Sequence, residues 1–228
     1  LDYYVTSKTT LGVGLGGTFI YRNGINNGLA KWQDAAGVTD STISTENKSK
    51  SRFTNGAVNL NARHTISSSQ DISADIDWLH YSISTDQFFN NQLLTAGGYR
   101  ELSRGNIPTT ITIFSGKVDH TLKLDKKTTL QSGWKSSSTN TDNIASYQNF
   151  DGSQWIEDYS KSNHFIYKEN ITAFYSSIEK KDDRLSFQAG LRYENTGYKA
   201  DQLGNAQQKD SSFSRHYGGF FPSGYISY

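Results

Sequence analysis

Along most of the chain apolar and polar residues alternate with a period of two, the spacing that places successive side chains on opposite faces of a strand. From Leu11 the odd positions read Leu11, Val13, Leu15, Gly17, Phe19 and Tyr21, against Gly12, Gly14, Gly16 and Thr18. Val58, Leu60, Ala62 and Ile66 oppose Asn55, Asn59, Asn61 and Arg63, and Ile72, Ala74, Ile76 and Trp78 oppose Ser73, Asp75 and Asp77. Phe114, Gly116, Val118, His120, Leu122 and Leu124 face away from Ser115, Lys117, Asp119, Thr121 and Lys123. Leu130 and Trp134 oppose Gln131 and Lys135, while Phe165, Tyr167, Ile171, Ala173 and Tyr175 oppose Lys168, Asn170, Thr172 and Ser176. In the cleanest run Leu185, Phe187, Ala189, Leu191 and Tyr193 alternate with Ser186, Gln188, Gly190, Arg192 and Glu194. These patterns predict an all-β fold, an antiparallel meander of long strands.

The connections follow a rhythm of their own. Short turns are predicted near Thr6–Thr9, Ser67–Gln70, Asp125–Lys127 and Lys180–Asp183, and long polar loops near 23–51, 86–107, 139–162 and 199–217. Tight turns on one side and elaborate loops on the other are the form of a transmembrane β-barrel, with apolar-out and polar-in strands. Strands of this length cover the roughly 9–11 tilted residues that an apolar membrane layer requires. Tyr21, Trp78, Tyr81, Trp134, Phe165, Tyr167 and Tyr193 fall near strand ends, where an interfacial girdle would place them. A soluble antiparallel sheet with one buried face gives the same alternation. The charged polar faces and the systematic loop asymmetry favour the barrel.

Composition sharpens this picture. Only 34% of residues are hydrophobic, yet 13% are aromatic, with 14 Tyr, 12 Phe and 4 Trp but 2 Pro. Disordered chains are poor in aromatic and β-branched residues, so this is the composition of strands and turns. The formal net charge of +1 is spread along the chain, which gives no basic tract for nucleic acid. With 0 Cys there is no disulfide framework, thiolate metal site or Cys nucleophile. With 0 Met and Leu at position 1, the chain reads as a piece of a longer protein.

The stretch "FIYKENITAFYSSIEKKDDRLSFQAGLRYENT" from Phe165, followed by "FFPSGYISY" at 220–228, resembles the C-terminal barrel of TonB-dependent outer-membrane receptors of the Bacteroidetes type. A "Y-x-E-N-I-x-A-x-Y" strand, a charged turn, "Q-x-G-L-R-x-E-x-T" and a later "F-P-S-x-x-x-x-Y" follow in the family's order. "LDYYVTSKTTLGVGLGG" is similar to an earlier strand–turn–strand of the same barrels. The resemblance implies a barrel of about twenty-two strands, filled by an N-terminal plug. It also implies capture of a scarce solute and energy-coupled displacement of the plug through a TonB-type transducer. On that reading residues 1–228 form one partial barrel domain of about 8–10 strands, with no plug in this chain and no bond chemistry. Its partners are outer-membrane lipid, the plug, the transducer and a small solute of siderophore, glycan or peptide class. The alternative is a stand-alone small outer-membrane barrel or a surface ligand-binding module without transport. An isolated open sheet is expected to self-associate through its edge strands.

Candidate chemistry is sparse. "GVGLGG" at 12–17 fits G-x-G-x-x-G, but Thr18-Phe19-Ile20-Tyr21 follows where a dinucleotide-binding loop would open a helix. Its glycines point instead to close backbone approach or a bent strand. The five His are scattered without ligand spacing, so no metal or cofactor is expected. Asp75 and Asp77 share a face and could act as an acid–base pair in a glycan-active enzyme. With Arg63, Lys117, Asp119, Lys135, Arg192 and Glu194 on polar faces, a lumenal charge ladder is the better reading. No G-x-S-x-G elbow anchors a hydrolase. Specificity is expected in the loops, where "YQNFDGSQWIEDYS" offers Tyr147, Phe150, Trp155 and Tyr159 and "DQFFNNQLL" offers Phe88 and Phe89.

Overall fold

The computed structural model describes residues 1–95 and 97–228. One 10-stranded antiparallel sheet contains nearly all of them. Its strands are β1 (Asp2–Thr6), β2 (Thr9–Gln33), β3 (Thr39–Ser67), β4 (Gln70–Leu93), β5 (Arg100–Lys123), β6 (Thr128–Phe150), β7 (Trp155–Glu157), β8 (Asn163–Lys181), β9 (Ser186–Leu203) and β10 (Ser211–Ser227). Neighbours in the sheet are neighbours in sequence, except that β8 pairs with β6 and the short β7 pairs with the far end of β6. Among the described residues β10 does not pair with β1 or β2, so the sheet does not close on itself.

The short connections fall at 7–8, 68–69, 124–127 and 182–185, close to the predicted turns. The opposite ends differ from expectation. Most of the polar segments 23–51, 86–107, 139–162 and 199–217 continue as strands, leaving connections among the described residues only at 34–38, 94–99, 151–154, 158–162 and 204–210; residue 96 lies outside the described residues. A period of two reports a contrast between two faces. Where both faces are wet the contrast disappears, yet the backbone must still pair, and Thr- and Ser-rich runs such as 39–51 satisfy the ladder well. Strands of 25 residues (β2) and 29 residues (β3) therefore run far beyond what a bilayer requires.

The register assigns the faces. Leu15 pairs with Val58, Val58 with Trp78, and Trp78 with Phe114, so these side chains share one face, here called the outer face. Trp134, Phe174, Tyr193 and Phe220 also lie in one row on it. Tyr21, Trp78, Phe114, Trp134, Phe174, Tyr193 and Phe220 are all exposed, as are Leu11, Leu15, Leu60, Ile76 and Leu191. From Leu11 to Tyr21 the apolar run of β2 extends roughly 33 Å along the strand. Single Leu residues on a soluble surface need no explanation, but a continuous exposed apolar band does.

The same register corrects three aromatic assignments and one strand. Tyr81, Phe165 and Tyr167 stand on the opposite, inner face and take no part in the outer girdle. In β8 the apolar outer positions are Ile166, Phe174 and Ile178, whereas Tyr167, Ile171, Ala173 and Tyr175 point inward. Small inner-face residues there are covered by longer neighbours, leaving Ala173 0% and Ala200 1% exposed. "GVGLGG" lies within β2, which excludes the dinucleotide loop. A Cβ at Gly12 would lie 2.3 Å from Asn61 Oδ1, whereas Gly14 and Gly16 have ordinary room, so only the first is held by close approach.

Candidate functional site

The inner face carries two distinct levels of chemistry. Near the short turns, Arg63, Asp75, Asp77, Lys117, Asp119, Lys135, Arg192 and Glu194 all occupy inner positions of β3–β9. Lys117 Nζ sits 3.5 Å from Asp75 and 3.1 Å from Asp119, bridging two strands. Asp119 also accepts the Tyr175 hydroxyl at 2.5 Å. Arg192 donates to Glu194 through Nε (2.9 Å) and Nη2 (2.6 Å), with its guanidinium carbon 5.9 Å from the Tyr175 ring centre. Asp77 accepts from Asn59 Nδ2 (2.7 Å) and Ser115 Oγ (3.2 Å), so it answers to different partners from Asp75. That separation suits a scaffold of ion pairs better than a shared acid–base couple.

Arg63 pairs separately with Asp71 at 3.6 Å, a partner the sequence pattern did not single out. Lys135 faces Lys117 across the β5–β6 ladder and forms no ion pair among the described residues. A crevice of about 550 Å³ opens over Arg63, Asp71, Asp75, Asp119 and Tyr175. These charges are partly solvated, with the Lys117 side chain 41% exposed, so each pair contributes little to stability alone. What they supply is a face of fixed, alternating charge.

Towards the long-hairpin end the aromatic candidates divide. Phe89 and Tyr147 point inward; the Tyr147 hydroxyl donates to Gln87 Oε1 at 3.3 Å, and its ring lies across Gly105, where a Cβ would come within 2.6 Å. Phe88, Phe150 and Trp155 point outward and cluster, with ring centres 6.3 Å apart for Phe88–Trp155 and 5.4 Å for Phe150–Trp155. Arg104 stacks over Trp155 at 4.4 Å. Tyr159 occupies the turn between β7 and β8, its carbonyl accepting from Asn205 Nδ2 at 2.9 Å. The neighbouring Asp158 carboxyl is held well below the usual carboxylate range, chiefly by the Ser160 hydroxyl and then by Asn149 and Lys161.

A second inner cluster was not singled out in the sequence. Tyr167, Tyr198, Phe213 and Tyr217 gather on β8–β10, with Tyr198 centred 5.9, 6.0 and 6.4 Å from the other three respectively. Residues 199–217 were expected to form a loop, which hid the alternation that places Phe213 and Tyr217 on one face.

A family model described as the outer membrane protein beta-barrel family matches residues 63–228. The chain belongs to that family. As an outer-membrane β-barrel protein it lies in the bacterial outer membrane, with the exposed apolar band against lipid and the aromatic row at the interface. No curated protein matches the chain.

Among solved structures the barrel chain is similar to the ferric yersiniabactin uptake receptor FyuA from Yersinia pestis, at 13% identity and a TM-score of 0.46, covering 96% of this chain and 41% of that one. It is similar to the siderophore receptor PiuA from Acinetobacter baumannii at 9% identity and a TM-score of 0.46, covering 97% and 47%. The chain thus spans less than half the length of these two proteins.

Proposed function

We propose that this outer-membrane barrel chain forms the wall and hairpin segment of a Bacteroidetes-type, TonB-dependent receptor that imports a scarce solute of siderophore, glycan or peptide class. The observation that carries the reading is an open sheet whose inner face presents a partly solvated charge ladder. A small closed barrel fills its interior with its own side chains. Here the Lys117, Asp75, Asp119 and Arg192 array instead suits a wall packed by a separate plug, in a barrel completed by further strands. Above it the inner aromatics Phe89, Tyr147, Tyr198 and Tyr217 form the solute-facing surface. The plug would couple solute capture to a TonB-type energy transducer. The chain binds and encloses, and bond chemistry is not its work.

Uptake of labelled siderophores, oligosaccharides and peptides by cells bearing the full-length protein tests this reading. Uptake of one class should stop when the proton gradient is collapsed, and Phe89→Ala with Tyr147→Ala should raise the half-saturating concentration. Uptake indifferent to the gradient would favour the stand-alone barrel instead.

A further inference from the structure

Towards the hairpin tips the charge of the inner face disappears. Residues 47–55 of β3, 81–89 of β4, 103–111 of β5 and 141–149 of β6 pair across one another in successive rows. Every charged residue of these segments, Lys48, Lys50, Arg52, Asp86, Arg104 and Asp142, points outward, and every inner position is neutral. What faces inward is a mixture of amides, hydroxyls, aromatic rings and branched aliphatic groups, most of them half-buried. The charges bordering this patch are Arg22 on β2, opposite Ser51, then Glu101 and Asp158 towards the tips, and Glu169 below. Asp158 is paired with Lys161 at 3.2 Å, and Glu169 accepts the Tyr167 hydroxyl at 2.9 Å.

One row of the patch is built as a platform. Ser49, Gln87, Gly105 and Tyr147 stand across from one another in turn. A Cβ at Gly105 would lie 2.6, 2.9 and 3.2 Å from three atoms of the Tyr147 ring, so the ring reclines over β5 where only glycine leaves it room. Its hydroxyl thereby reaches Gln87 on β4, at 3.3 Å, and its far side is turned to the lumen. The next row sets Asn47, Phe89 and Asn149 beside it. Asn47 and Asn55 each have a shielded amide oxygen with no hydrogen-bond partner. Buried amides are normally paired, so a turn of either side chain brings an unused acceptor to a donor arriving from the lumen.

Resting on the reading that this face lines the solute path, the patch discriminates among solute classes. An anionic iron chelate or an acidic sugar would shed water against a surface with only Arg22 at its edge and carboxylates at its other margins, and nothing there offsets that cost. A peptide would bring its charged termini to the same neutral wall. Amides and hydroxyls both donate and accept, which matches the hydroxyls of a sugar, whereas a neutral hydroxamate chelate presents acceptors alone. An aromatic surface ringed by a few polar groups is also the usual composition of a small-molecule site, and the C–H face of a pyranose suits the reclining ring. We infer that the Tyr147 platform of β3–β6 binds a neutral oligosaccharide.

The test offers the full-length protein, in phosphatidylcholine nanodiscs, an equimolar pool of probes and reads retention by native mass spectrometry. The pool holds short gluco-, manno-, galacto- and xylo-oligosaccharides, oligogalacturonate, a ferric trihydroxamate, a ferric triscatecholate and trilysine. A neutral oligosaccharide should be retained above every other probe. Tyr147→Ala and Gly105→Ala should each weaken that retention about tenfold, the second by lifting the ring while leaving every contacting group in place. Tyr147→Phe should stay within about twofold of wild type, and Phe88→Ala, on the outer face, should leave retention unchanged. Tyr147→Ala alone serves if Gly105→Ala fails to show the heat-modifiable mobility of a folded barrel. Preferred retention of a ferric chelate, the acidic sugar or the peptide overturns the inference, as does retention of no probe or a Tyr147→Ala variant that binds like wild type. Binding is read without an energised membrane. Uptake indifferent to the proton gradient would therefore sink the receptor reading and leave oligosaccharide binding in place, whereas gradient-driven uptake of a ferric chelate would do the reverse.

Discussion

Gly133 tests whether the inner charge ladder is a built contact or an accident of neighbouring strands. A Cβ at this position would lie 2.5 Å from Tyr175 Cζ and 2.6 Å from Asp119 Oδ1, so Gly133→Ala forces both groups to move. Restoring an ordinary 3.4 Å separation requires a shift of about 0.9 Å (3.4 − 2.5), which stretches the 2.5 Å Tyr175–Asp119 hydrogen bond beyond the useful range. Losing a hydrogen bond to a charged acceptor costs about 1.5–3 kcal/mol when buried. Asp119 is 32% exposed, so the lower end applies. An off-rotamer ring adds about 0.5–1.5 kcal/mol, and the entropic gain of Ala over Gly returns about 0.4–1. The net expectation is a destabilisation of about 1–2.5 kcal/mol.

Equilibrium urea unfolding in phospholipid vesicles, followed by tryptophan fluorescence, measures it. Gly116→Ala is the internal control, because its Cβ would meet only Trp134 at an ordinary 3.9 Å; it should be neutral or slightly stabilising. Combining Gly133→Ala with Tyr175→Ala should cost about 1 kcal/mol less than the sum of the single changes, because the clash disappears with the ring. A neutral Gly133→Ala, or strict additivity in the double variant, refutes the reasoning.

Leu15→Arg, on the lipid side of β2 and 77% exposed in the isolated sheet, should reduce folding into vesicles by about 2–4 kcal/mol, whereas Gly14→Arg on the inner face should cost far less. Because the native Asp158 carboxyl titrates below its unfolded value, its contribution is complete above about pH 4 and disappears as pH falls towards the native pKa. Amide-exchange protection of Ser160 and Lys161, which donate to Asp158 Oδ1, should therefore fall on acidification, and Asp158→Asn should remove that dependence. The isolated 1–228 chain in detergent should run as oligomers in light-scattering chromatography, joined through the free edges of β2 and β10, and a monodisperse monomer would contradict the open edge.

What could be read in advance depended on contrast between the two faces. In β9, Leu185–Tyr193 alternates against charged residues, and both its strand and its faces were legible. The ladder residues Asp75, Asp77, Lys117 and Asp119 were legible for the same reason, since a charge amid apolar neighbours reports which side is wet. In β8 the contrast misleads. Phe165, Tyr167, Ile171, Ala173 and Tyr175 outnumber Ile166, Phe174 and Ile178, so counting hydrophobicity on that strand alone selects the wrong face. Only pairing with Trp134 and Tyr193 places Phe174 in the lipid row.

Parity also held information that the loop reading discarded. Phe88 and Phe89 are adjacent, and Tyr147 and Phe150 are separated by an odd number, so on continuous strands each pair must divide between the faces. Treating 86–107 and 139–162 as loops made all four look like one surface. Once these segments are strands, Phe89 and Tyr147 turn to the inner face while Phe88 and Phe150 join Arg104 on the outer face. A register slip of one residue would exchange the two sets completely. The strand ladder that carries the wall beyond the bilayer therefore also decides which aromatics face inward and which face outward.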